Sequence, residues 1–136
     1  MNRLTFQHLA NERLLDAQAL FAAGRHACAY YVGGYAVECA LKACIARRTK
    51  ADDFPPKEAN KYYTHDLVKL LDIAGLTSAF SAEAAKNPML QANWSAVKDW
   101  TEESRYDTRG QQQAEAILAA ITDRHNGVLQ WLRQSW

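Results

Sequence analysis

The stretch TEESRYDTRGQQQ, residues 101–113, sets Arg105 and Arg109 around Tyr106 and Asp107, just ahead of a long apolar helical pattern. Two guanidiniums beside a helix N-terminus suit an anion. Free backbone N–H groups and the positive end of the helix dipole point at it. A guanidinium can also grip a phosphate or carboxylate through two parallel hydrogen bonds. Gly110 leaves the backbone uncovered there, and Tyr106 offers a ring that could stack on a base. Plain capping explains part of the same stretch: Thr108 with Gln111 three residues on matches a capping box, and Asp107 is an equally good cap.

A second set of chemical groups lies upstream. Glu38 and Lys42 are the only full charges between His26 and Ala46. They stand one helical turn apart with the acid on the N-terminal side, the favourable order for an ion pair. Alternatively, Glu38 points into a groove and orients Arg105 or Arg109, since a buried acid needs such a partner. His65 opens another helical pattern beside Asp66, where an exposed first-turn residue is the plain reading. His125 falls on an apolar stripe and reads as a core histidine. The ligand- or anion-binding candidates are therefore Arg105, Arg109, Tyr106, Asp107, Glu38 and Lys42, and the catalytic candidates are Arg105 and His65. No Gly-rich phosphate loop, nucleophile elbow or metal-ligand cluster occurs, so neither a metal nor a cofactor is expected.

The elements that must position these residues are helical, because apolar spacing of three and four recurs and sustained alternation does not. Thr5 can cap a first helix that reaches about Ala23 and stops at Gly24. A second spans roughly residues 25–49. Its small residues Ala29, Gly33, Ala36, Ala40 and Cys44 line up so that another backbone can come close, which would offset the cost of about 1 kcal/mol per helical glycine. Residues 50–63, with Pro55 and Pro56, read as a loop. Thr64 caps a third helix over residues 65–74, ended by Gly75. A short helix follows Ser81, a fourth covers residues 90–103, and the last runs over residues 109–134. The expectation is a single domain, an all-α, up-and-down antiparallel bundle of four to five helices.

The 136 residues can bury one core, and the 49% hydrophobic, 23% charged composition is that of a globular chain. A net charge of +1 excludes binding to nucleic acid by bulk charge alone. Cys28, Cys39 and Cys44 fit free buried thiols in a reducing cytosol, not a disulfide framework. The tract from His26 to Ala46 carries Glu38 and Lys42, which a membrane span would carry only at heavy cost. A cytoplasmic protein without membrane contact is expected.

The segments YYVGGYAVECALKACIA (residues 30–46), HDLVKLL (65–71) and ESRYD (103–107), followed by a long last helix, together resemble the HEPN domain family. The resemblance spans nearly the whole chain. It implies a helical bundle that dimerises, often beside a nucleotidyltransferase partner in toxin–antitoxin or defence systems. It also implies one of two roles, a metal-independent ribonuclease or a non-catalytic module binding nucleotide, RNA or a partner protein. The nuclease members carry an arginine, four to six intervening residues and then a histidine. Here residues 109–112, counted from Arg105, and 114–116, counted from Arg109, hold no histidine, and the next one is His125. The expectation is therefore a non-catalytic nucleotide-, RNA- or partner-binding homodimer. A divergent ribonuclease drawing its imidazole from His65 and a purely structural dimerisation bundle are the alternatives.

Overall fold

A computed structural model describes residues 2–49 and 63–136. The expected loop over residues 50–63 lies outside the described residues, apart from Tyr63. Seven α-helices, and no strand, occur among the described residues: α1 (Arg3–Ala22), α2 (His26–Arg48), α3 (Leu67–Ile73), α4 (Thr77–Lys86), α5 (Pro88–Val97), α6 (Gln111–Thr122) and α7 (Val128–Arg133). A 3-10 turn, Glu102–Tyr106, joins α5 to α6. None of these helices is long and apolar enough to cross a membrane.

The two long helices form a hairpin through a turn that the sequence marks well. Gly24 takes a left-handed φ of 76°, its N–H donates to the Phe21 carbonyl, and the Arg25 N–H reaches back to Leu20. Gly75 ends α3 in the same way with φ 71°. A side chain there would also collide with the Arg48 guanidinium, which donates to the Ile73 carbonyl at 3.1 Å.

α2 is the centre of the bundle, touching α1, α3, α6, α7 and the 3-10 turn. The small-residue stripe is buried throughout, and what it admits is now visible. A Cβ on Gly33 would sit 3.0 Å from Leu118 Cδ2 on α6, so this glycine lets α6 settle on α2. Gly34 serves a different neighbour. A Cβ there would lie 2.2 Å from Cδ1 and Nε1 of Trp100, so the indole occupies the notch that the missing side chain leaves.

Several expected boundaries move. Asn2, not Thr5, caps α1, its Oδ1 accepting the Thr5 N–H at 2.9 Å. Asp66, not Thr64, caps α3 by accepting from Val68 and Lys69. The short helix α4 begins at Thr77, before Ser81. The expected fourth helix starts at Pro88 and stops at Val97, because the chain must turn to deliver Trp100 to the Gly34 notch. The expected last helix is two. Asp123 Oδ1 accepts from the N–H groups of His125 and Asn126, making a turn at Asn126-Gly127 that separates α6 from α7. His125 is consequently exposed on that turn and not in the core. Cys39 and Cys44 are buried as expected, but Cys28 is exposed.

Candidate functional site

The first candidate region grows from Glu38. Its side chain is 2% exposed, held between Lys42 on its own helix and His65 just ahead of α3. Lys42, one turn along α2, brings Nζ to 3.5 Å from Oε2, the pairing its spacing predicts. His65 brings Nδ1 to 2.6 Å from Oε1. A buried carboxylate is tolerated only when paired and hydrogen-bonded, and this one has a partner for each oxygen.

His65 is aimed by the local chain. Thr64 Oγ1 accepts the Asp66 N–H at 3.2 Å, and Asp66 then caps α3, so the residue between them is fixed in a tight turn. A separation of 2.6 Å from a carboxylate oxygen requires a proton on Nδ1. In the neutral ring, Nε2 is then the basic nitrogen. The side chain is 46% exposed and lines a cleft of about 540 Å³.

One wall of this cleft is the start of α3, with Thr64, His65, Asp66 and Val68. The other is the segment after α5, residues 98–103 with Trp100 at its base. Among the described residues that line it, Asp66, Asp99, Glu102 and Glu103 outnumber Lys98, so this part of the rim favours positive charge over phosphate.

The second region is the arginine–tyrosine face. The Arg109 guanidinium lies 4.5 Å above the Tyr30 ring and pairs with Asp107 at 3.4 Å. Burial raises the Tyr30 phenol pKa, with the Arg109 charge opposing. The Arg105 guanidinium sits 4.9 Å from the centroid of Tyr106, whose ring is 76% exposed. The phenol of Tyr106, and after it that of Tyr31, favour the charged guanidinium and raise its pKa further. Tyr31 in turn stacks on Tyr35 at 6.5 Å and on Trp100 at 6.0 Å.

The start of α6 differs from both capping expectations. Gly110 is the N-cap and has no side chain to offer, while Gln113 Oε1 folds back to accept the Gly110 N–H at 3.0 Å. Thr108 plays no capping part, and Asp107 turns to Arg109 instead. The first turn of α6, Gln111 to Gln113, therefore stays exposed next to Arg109.

Two groupings emerge, and they differ from the expected ones. Glu38 orients neither Arg105 nor Arg109; its partners are His65 and Lys42. Sequence reading weighed Glu38 and His65 separately and missed the bond between them. The one available signal was that Glu38, in an apolar tract, finds only Lys42 as a partner on its own helix. Tyr31, beside Arg105, and Glu38, beside His65, stand seven residues apart on α2, two turns or roughly 10 Å of axial rise. Among the described residues, no three His, Cys, Asp or Glu side chains converge as a metal site would need. No known protein family, curated protein or solved structure matches the chain.

Proposed function

We propose that this chain is a HEPN-like, up-and-down helical module that binds a phosphate-bearing ligand, a nucleotide or RNA, through Arg105, Arg109 and Tyr106. The observation that carries the reading is the pair of guanidiniums laid over tyrosine rings beside the open first turn of α6. Arginine supplies charge-assisted bonds to phosphate, and an exposed phenol ring supplies a stacking surface for a base. In the same reading the module works as a homodimer, with a nucleotidyltransferase as a candidate partner in a toxin–antitoxin or defence setting.

The test is fluorescence anisotropy of a labelled single-stranded oligonucleotide and of labelled ATP at rising salt. Binding should weaken as salt rises, because phosphate contacts release counterions. Arg105→Ala and Arg109→Ala should each weaken it about tenfold, in line with the loss of one charge-assisted pair. Affinity that is unchanged in both variants refutes the site.

The Glu38–His65 bond favours a second reading, a divergent ribonuclease. His65 Nε2 would take the 2′-OH proton as the 2′-oxygen attacks phosphorus. The P–O5′ bond would break to leave a 2′,3′-cyclic phosphate, and the departing 5′-oxygen would take its proton from solvent. Against it stand the negative rim of the cleft and the two-turn offset from Arg105. Chelator-resistant RNA cleavage that disappears in His65→Ala would establish it. Equal background in both proteins would dismiss it.

A further inference from the structure

Residues 98–107 connect α5 to α6 and form one wall of the His65 cleft. Their backbone hydrogen bonds are short-range. Trp100 N–H reaches Val97, Ser104 N–H reaches Thr101 and Asp107 N–H reaches Ser104. Among the described residues, the backbone hydrogen bonds that leave this segment go to α5 alone, from Lys98 to Trp94 and from Trp100 to Val97, and no salt bridge ties it to another helix. It is held from the side, by the Trp100 indole in the Gly34 notch, by Ser104 packed inward and by Arg105 against Tyr31.

That hold is imperfect in a specific way. Trp100 is 1% exposed and Ser104 2%, yet Trp100 Nε1 and Ser104 Oγ meet no hydrogen-bond partner among the described residues. A polar atom buried without a partner loses its bonds to water and regains nothing, so closure is opposed at the same two residues that make it. Elements of this kind, with local backbone bonds and few anchors, open well before the core does. At its far end the segment carries Arg105, four residues before Arg109, which is pinned over Tyr30 on α2.

We propose that residues 98–107 form a strap that opens independently of the bundle, withdrawing Trp100 from the Gly34 notch, and that an anion bridging Arg105 to Arg109 latches it shut against α2. The latch rests on the phosphate-binding reading above; the opening does not. The strap thereby makes the shape of the cleft beside His65 depend on what the arginines hold. An empty arginine pair leaves the cleft wall free to swing out, and a bound phosphate closes it.

Hydrogen exchange on the full chain, with and without a single-stranded oligouridylate whose binding is followed separately by anisotropy, tests both halves. Without ligand, the Trp100, Ser104 and Asp107 amides should exchange at least about tenfold faster than those of Val37 and Leu41, as local opening predicts. Equal rates would mean that the strap opens only when the whole domain unfolds, and would overturn the proposal. Saturating oligouridylate should slow the strap amides several-fold and leave α4 unaffected, following the binding linkage. Binding without slowing overturns the latch and leaves the binding reading standing. Absence of binding overturns the latch together with that reading. Gly34→Ala places a methyl on the indole and should free the strap while α6 keeps its protection. Should that variant unfold, Trp100→Leu, which loses the indole but keeps an apolar anchor, should speed strap exchange without changing α2. An unchanged rate there overturns the anchoring role of Trp100.

Discussion

The His65 cleft and the arginine–tyrosine face are both backed by α2, the one through Glu38 and the other through Tyr30 and Tyr31, and are opposites in construction. The cleft is built from a buried carboxylate with a partner on each oxygen, recruited across 27 residues of chain, and it ends in a negative rim. The face is built from neighbours in sequence, Arg105 to Arg109, lying on the exposed Tyr106 and the buried Tyr30, and its two guanidiniums are positive. The difference separates two kinds of functional group. Glu38 is bound up with stability, because it is itself buried and removing it leaves Lys42 and His65 without their acceptor. Arg105 and Arg109 are nearly free of that duty, so their chemistry can be altered without harming the fold.

The largest effect should follow Glu38→Ala. It leaves Lys42 and His65 without their acceptor; both are partly exposed and can turn to water, so the cost should lie at or below the lower end of the roughly 3–5 kcal/mol for breaking a fully buried pair. Urea unfolding would measure it, and Glu38→Gln, which still accepts one hydrogen bond, should fall well short of that. Cys39 reports the same event. Burial, with the Glu38 charge second, pushes its thiol up to about 11. A thiol reagent at about pH 8 should therefore modify the exposed Cys28 first, and Cys39 only in the alanine variant. A stable Glu38→Ala would erase the contrast between the two regions.

Next come Arg105→Ala and Arg109→Ala. Each should leave the unfolding midpoint nearly unchanged, within about 0.5 kcal/mol as for surface substitutions. Each should still reduce oligonucleotide affinity. A large loss of stability would show that the face is structural. Asp66→Ala comes last, since it removes the α3 cap and should cost about 1 kcal/mol, less than the roughly tenfold loss of affinity expected of the arginine variants. Its sharper consequence is at His65, whose turn the cap holds. A shift in the His65 imidazole resonances by NMR would confirm that positioning, whereas unchanged resonances would detach the cap from the cleft.

Legibility tracked the range of the interaction. Gly24 and Gly75 were readable as helix stops, because a left-handed residue after a helix is a local demand. The Glu38–Lys42 pair was readable from a spacing of four. The face at Arg105 and Arg109 was readable because its residues are contiguous, though not its cap, where an unadorned Gly110 stands ahead of a Gln113 that folds back. The break between α6 and α7 carried a signal in Asn126-Gly127, but the apolar period continued through it and hid the turn. Nothing before Trp100 announces the end of α5. Its stripe of Leu90, Trp94 and Val97 continues to Trp100 in helical register, and the chain leaves the helix only because Gly34 on α2 offers the indole a notch.

The amino-acid sequence by itself determined that the chain is helical, where the two long helices turn and which polar groups were in excess of what helices need. These follow from backbone preferences and spacings of three or four residues. Tertiary structure alone decided that Glu38 meets His65, that Trp100 fills Gly34 and that the arginines lie over Tyr30 and Tyr106 while Glu38 serves another residue. Those pairings depend on how helices settle against one another, and the shapes that settle them, a missing Cβ and a buried carboxylate needing two partners, are visible only when distant segments are brought into contact.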